Sequence, residues 1–202
     1  TAGELRDALL GALFGGPPTP AGPTGPGGAG GPGAPEAPDA ARFDALIMAA
    51  AVADFAPAQP AARKLARGEG MTLELQATPD LLAEVARIAR GLDATGAATR
   101  NPVVPAPLLV GFAAETGSLE RAAAKLAAKR VDLLVANDVS EAGSGFGTDT
   151  NRVVILDAAG GRDELPLLPK REVADRLLDR VAAALDGRDA AGQTARMQEV
   201  QR

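Results

Sequence analysis

Two lysines four residues apart, Lys125 and Lys129, stand between two apolar runs that each end in small and polar residues. Before them comes Gly111-Phe112-Ala113-Ala114-Glu115-Thr116, and after them Asp132-Leu133-Leu134-Val135-Ala136-Asn137-Asp138-Val139-Ser140. On a helix the spacing puts both ammonium groups on one face. Like charges so placed repel mildly unless an anion sits between them, so the pair reads either as a solvated basic face or as an anion site. With Asp54 and Lys64 brought in from the loop after the first strand, three lysines and one carboxylate would suit a triphosphate and magnesium. Taken singly, Asp54 serves equally well as a loop cap and Lys64 as a surface charge. Asn137 and Asp138 either hydrogen-bond a substrate or cap their turn. Buried strands that stop in such loops are how α/β proteins offer ligand sites at strand carboxyl ends, and a nucleotide is the ligand this set favours.

Composition narrows the chemistry. The chain has no His and no Cys, which excludes disulfides, thiolate metal sites, the usual zinc ligands and a Ser-His-Asp or Cys-His hydrolase. Lys, Arg, Asp, Glu, Asn, hydroxyls and backbone amides remain, a set suited to charge stabilisation in phosphoryl or nucleotidyl transfer. A net charge of −5 and aromatics limited to five Phe argue against nucleic acid as a partner. No apolar run approaches the roughly 20 residues that span a bilayer, and Thr1-Ala2-Gly3-Glu4 is not a signal-peptide start. The expectation is a cytoplasmic protein with no membrane partner and, lacking an initiator Met, a piece of something longer.

The elements that must position these residues follow from periodicity. Residues 1–14 read as a helix belonging to the domain, with Leu5, Leu9 and Leu13 at every fourth position and a capping box from Thr1 and Glu4. Nine Gly and eight Pro among residues 15–38 without a Gly-X-Y repeat predict a disordered insertion. Ala45 to Ala50 reads as the first strand, Pro57 and Pro60 force an extended loop bearing Arg63, Lys64 and Arg67, and Leu73, Leu75 and Ala77 alternate as a second strand. Thr78 is the expected N-cap of the following helix, Pro79 its first residue and Asp80 a complement to its dipole, with Gly91 as the stop. Leu108 to Gly111, a helix from about Ser118 to Lys129 and Leu133 to Ala136 form a βαβ unit with a parallel strand pair. Residues 139–151 read as a mobile Gly-rich loop in which Phe146 covers a ligand or a subunit contact. The stretch Gly143-Ser144-Gly145-Phe146-Gly147 matches neither phosphate-loop fingerprint in spacing and precedes a strand. Arg152 to Asp157 and Glu164 to Leu168 read as an edge hairpin across Gly160-Gly161. A last helix from about Pro169 shows Val173, Leu177, Val181 and Leu185 on one face, followed by a frayed tail over 187–202. The expected fold is α/β and Rossmann-like, three-layered, with a mostly parallel sheet and an edge hairpin, its ligand-binding domain spanning 39–186.

In their order, Ala50-Ala51-Val52-Ala53-Asp54, Lys64, Pro79-Asp80, Gly111 to Thr116, Ala136 to Ser140 and Gly145 to Val153 resemble bacterial phosphopantothenoylcysteine synthetase, the ligase half of the bifunctional coenzyme A biosynthesis flavoprotein. The resemblance spans about residues 40–185. It implies a homodimer that uses CTP with Mg2+ to activate 4'-phosphopantothenate as an acyl cytidylate, which the cysteine amine then attacks. FMN is implied only if a decarboxylase half accompanies the chain. The implied CTP contacts fall on Met48, Ala49, Ala50, Asp54, Lys64, Pro79, Asp80, Leu81, Leu82, Phe112, Lys125 and Lys129, with Lys64 as the catalytic cation. Backbone groups around Met48 to Ala50 would read the cytosine edge, and the lysines would offset charge on the α-phosphate and leaving pyrophosphate.

The family pattern Lys-x-Lys-Lys is here Lys64-Leu65-Ala66-Arg67, and Thr78 stands where Asn is common. The family's opening strand, Gly-containing phosphate loop and Asn-containing segment have no counterpart in the sequence, so the resemblance implies a catalytically incomplete chain. Three other readings stand beside it: a non-catalytic nucleotide-binding or dimerisation module, a nicotinamide-dependent oxidoreductase lacking the expected Gly-x-Gly-x-x-Gly, and an ATP-using relative.

Overall fold

Leu108-Leu109-Val110 and Leu133-Leu134-Val135-Ala136 are apolar at every position, and each of these side chains is buried, the condition of inner strands covered on both faces. The computed structural model describes residues 1–14, 43–59, 61, 63–64, 71–98, 106–117, 119–145 and 147–200. The elements are α1 (Ala2–Phe14), β1 (Ala45–Met48), β2 (Phe55–Pro57), β3 (Leu75–Ala77), α2 (Leu81–Ala89), β4 (Leu108–Glu115), α3 (Glu120–Lys129), β5 (Leu133–Asp138), β6 (Thr150–Asn151), β7 (Val153–Asp157), β8 (Arg162–Glu164), β9 (Leu168–Pro169) and α4 (Lys170–Val200). They fall into two compact units, Thr1–Arg42 with Ala50–Leu81, and Phe43–Ala49 with Leu82–Arg202. The insertion expected over 15–38 lies outside the described residues, as do Arg67 and Phe146.

In the first unit the capping box at the start of α1 forms as expected, the Glu4 amide donating to Thr1 Oγ1 at 3.3 Å. β2 and β3 pair antiparallel, with Phe55 opposite Ala77 and Pro57 opposite Leu75. The sequence reading missed β2, because a proline there lacks the ladder donor, a loss a two-stranded ribbon tolerates. Thr78 is not a helix cap. Its amide donates to the Asp54 carbonyl at 2.9 Å and its hydroxyl to the Ala53 carbonyl, which ties the base of the ribbon, and α2 starts three residues later, after Pro79 and Asp80.

In the second unit one sheet runs β1-β4-β5-β7-β8. β1, β4 and β5 are parallel, and the β7–β8 hairpin adds antiparallel at the edge. Leu108 and Val110 of β4 share one face with Leu133, Val135, Val153 and Ile155, packed on Val173, Leu177 and Val181 of α4. The alternate positions of β4 meet the other helical layer. Leu82 of α2 comes so close to Gly111 that a Cβ there would stand 2.7 Å from Leu82 Cδ2 and 3.2 Å from Leu134 Cδ1. This is the expected three-layer α/β arrangement.

Several boundaries move: β1 ends at Met48 where Ala50 was expected, the second strand of the edge hairpin is Arg162–Glu164 where Glu164 to Leu168 was expected, and two elements run longer. β4 continues from Gly111 to Glu115 because β5 accompanies it rung by rung to Asp138, so small and polar residues stay in the ladder. α4 runs past Gly187 to Val200, where the sequence suggested a frayed tail, and Arg188 supplies one physical reason. Its guanidinium bonds Asp132 Oδ1 at 2.7 Å and the Ala106 carbonyl at 3.1 Å, while Asp132 Oδ2 accepts the Leu109 amide at 2.8 Å.

Replacing Gly111 by Ala forces Leu82 and Leu134, both buried, to give way. Urea unfolding of Gly111→Ala should show a loss of about 1–3 kcal/mol, and an unchanged midpoint would contradict the close approach.

Candidate functional site

The carboxyl ends of β1, β4 and β5 lie on one edge of the sheet, as parallel pairing requires. β1 stops at Met48, opposite Gly111, while β4 goes on to Glu115, opposite Asp138 of β5. Two carboxylates thus end neighbouring strands, and each solves its charge differently.

Glu115 is only 3% exposed. Its Oε1 lies 2.5 Å from Lys125 Nζ and its Oε2 lies 3.5 Å from Arg121 Nη2. Oε1 accepts no hydrogen bond among the described residues, the ammonium standing close but out of line. Lys125 and Arg121 are one turn apart on α3, with side chains 43% and 69% exposed. The face that Lys125 occupies therefore already holds one anion, a buried carboxylate of the protein itself. Sequence reasoning assigned no role to Glu115 or Arg121. The sequence offered only an acidic residue in the loop after the apolar run, followed six and ten residues later by Arg and Lys.

Asp138 instead binds amides. Ser140 and Gly117 donate backbone N–H groups at 2.9 and 3.1 Å, and the Ser140 hydroxyl bonds the same carboxylate. The Ser140 hydroxyl first, then the Ser140 and Gly117 amides, hold its carboxyl below the usual aspartate range. Asn137 bonds Asn151 Oδ1 at 3.2 Å, and that oxygen also accepts from Ser144 Oγ at 2.6 Å and the Gly145 amide at 3.2 Å. Between the two uses weighed from sequence, both side chains serve the turn. The segment read as a mobile loop is laced together: Thr150 Oγ1 donates to the Gly143 carbonyl at 2.6 Å, and Lys170 Nζ to the Gly145 carbonyl at 3.0 Å. Gly145 takes a φ of 94° and a Cβ there would stand 3.1 Å from the Val139 Cα, so glycine is required twice over.

The other expected site residues divide between the two units. In the first, Ala50, Asp54, Lys64, Pro79 and Asp80 are exposed, and the Leu81 side chain is buried. In the second, Ala49 is exposed just beyond β1, Met48 is half-buried on the Gly111 face, Leu82 is buried and Lys129 is half-buried. Because Leu81 and Leu82 sit in the core, only their backbone amides, at the first turn of α2, can reach a ligand. Phe112 is 43% exposed and belongs to the α4 face of β4, the opposite face from Glu115 and Lys125. A ligand touching both the Phe112 ring and Lys125 must cross the strand edge. Among the described residues no group of three or more His, Cys, Asp or Glu is placed to hold a metal ion, and no helix is long and apolar enough to cross a membrane.

Because its folded pKa is depressed, Asp138 stabilises the fold fully above the unfolded aspartate pKa, and this is lost as pH falls through the lowered value. NMR titration should place the Asp138 midpoint below that of an unfolded aspartate, and Ser140→Ala should move it up. A midpoint at or above the ordinary value would contradict the clamp.

Residues 36–185 match the family of DNA/pantothenate metabolism flavoprotein C-terminal domains. The chain is 43% identical over 142 residues to the coenzyme A biosynthesis bifunctional protein CoaBC of Bacillus subtilis (strain 168), covering 69% of this chain and 31% of that one. It is 36% identical over 140 residues to a cysteine/cysteine sulfinic acid decarboxylase of an unknown prokaryotic organism, covering 68% of this chain and 35% of that one. A crystal structure of the C-terminal domain of a CoaBC protein aligns with 31% identity and a TM-score of 0.49, over 71% of this chain and 56% of that one. The chain spans about a third of the length of these two curated relatives. By the extent of the match and the identity to CoaBC, it belongs to the DNA/pantothenate metabolism flavoprotein C-terminal domain family.

Proposed function

We propose that this chain is the nucleotide-binding part of a coenzyme A biosynthesis ligase that joins 4'-phosphopantothenate to cysteine at the expense of CTP. In that reaction the substrate carboxylate attacks the α-phosphorus and pyrophosphate leaves. The cysteine amine then attacks the acyl carbonyl, and CMP departs. Neither step needs a His or Cys from the protein, which fits a chain that has neither.

The observation that carries the reading is the cationic face of α3 at the carboxyl edge of β4 and β5, in a chain of this family. Lys125 is anchored on one side by Glu115 and open to solvent on the other, so its charge can meet the developing charge of a leaving pyrophosphate with little reorganisation. The α2 amides at Leu82 supply neutral donors of the kind that favour anions. Backbone groups at Met48 and Ala49, where β1 stops short of β4, would read the base. To Asp54 and Lys64 the resemblance gives the nucleotide contact and the catalytic cation, and to Ala50, Pro79, Asp80, Phe112 and Lys129 further contacts. With no carboxylate cage among the described residues, a magnesium ion would ride on the nucleotide phosphates and be held by them. FMN belongs to the reaction of a different domain. A homodimer in the cytoplasm is part of the same proposal.

A second reading is a nucleotide-binding or dimerisation module without chemistry of its own. It is favoured by the relative that shares this region under the name of a decarboxylase.

Calorimetric titration with CTP and then ATP, in magnesium, tests the proposal. CTP should bind more tightly than ATP, and Lys125→Ala should weaken CTP by about tenfold or more, the loss of one charge-assisted contact. Binding of neither nucleotide, or a Lys125→Ala variant that folds and binds CTP unchanged, would contradict it.

A further inference from the structure

Glu115 presents a problem that packing alone does not solve. A carboxylate 3% exposed is costly to desolvate unless paired. Its partners are two cations that repel one another across a single helical turn, and one carboxylate cannot neutralise both. Arg121 and Lys125 therefore share a single buried counter-charge between them. An Arg that served only to neutralise Glu115 would use one edge of its guanidinium. Here the side chain is 69% exposed and its nearest approach to Oε2 is 3.5 Å, which leaves most of its five N–H donors available. Oε1, buried and accepting no hydrogen bond among the described residues, pulls on Lys125 from within.

From this we propose that Arg121 is a further anion-binding residue of the site, held beside Lys125 by Glu115, which acts as a positioning residue. The inference rests on the nucleotide reading for the identity of the anion, a phosphate or pyrophosphate group, but its geometry is that of Arg121, Lys125 and Glu115 alone. Long cationic side chains lose rotamer freedom when they bind. A buried carboxylate that already restrains both removes part of that cost and sets their spacing. Arg121 offers parallel N–H donors that fit phosphate oxygens, where Lys125 offers a point charge.

The test is calorimetric titration of CTP and, separately, of inorganic pyrophosphate into the wild-type chain, Arg121→Ala and Glu115→Gln, with thermal unfolding of each. Arg121→Ala, an exposed substitution, should fold normally and bind both probes about five- to tenfold more weakly. Glu115→Gln should also bind both more weakly, although it removes a negative charge beside an anion site and on charge alone would bind them more tightly. Its salt dependence should be shallower than that of the wild type, a change that a purely structural role would not produce. Unchanged binding by Arg121→Ala, or unchanged or tighter binding by Glu115→Gln, overturns the proposal. If Glu115→Gln does not fold, the Arg121→Ala result decides alone. If the wild type binds pyrophosphate through Arg121 but not CTP, the nucleotide reading falls and the anion cluster stands. If it binds neither, both fall.

Discussion

Two acidic residues occupy the last rung of the β4–β5 ladder, Glu115 opposite Asp138, and this edge of the protein is arranged around that fact. In-register residues of neighbouring parallel strands point to the same side of the sheet, so both charges must be compensated there. Glu115 takes the cations of α3 and Asp138 takes the amides of Ser140 and Gly117. Desolvating an unpaired carboxylate costs several kcal/mol, whereas exposed pairs such as Arg162–Glu164 and Arg171–Asp175 are each worth about 0–1 kcal/mol. The Glu115 cluster is therefore the ion pairing that fixes where α3 presents its charge. Gly111, two same-face positions before Glu115 on β4, lets α2 close on that face.

A cation restrained by a buried counter-charge is poised to meet an arriving phosphate, while a freely solvated lysine must be ordered first. The turn after β5 is built from side chains that satisfy one another, Asp138 with Ser140 and Asn151 with Ser144, Asn137 and Gly145. Its polar residues are spent on holding one another. Asp132 does the same at the opposite end of the sheet, joining Arg90, Arg188 and the Leu109 amide.

Much of the fold was legible in the sequence because its signals are local and strong. Continuous apolar runs gave the inner strands β4 and β5, the helix between them gave the parallel pairing, and Gly160-Gly161 marked the edge hairpin. The failures share a cause. β4 past Gly111 and α4 past Gly187 are held by partners distant in sequence, Val139 and Asp132, which no local window contains. Thr78 looked like a cap because its composition fits one, but a longer-range bond to Ala53 wins. At the site, Lys125 was readable from its spacing to Lys129. Glu115 was not, since burial turns an ordinary acidic residue into the organiser of the cluster, and burial is a property of the fold.

A crystal structure of this chain grown with CTP and magnesium would show where the nucleotide phosphates lie. The nucleotide should lie at the carboxyl edge of β4 and β5, its phosphate oxygens within hydrogen-bond distance of Lys125 while Glu115 stays buried behind it. A nucleotide bound elsewhere on the chain, with Lys125 still paired only to Glu115, would contradict that placement.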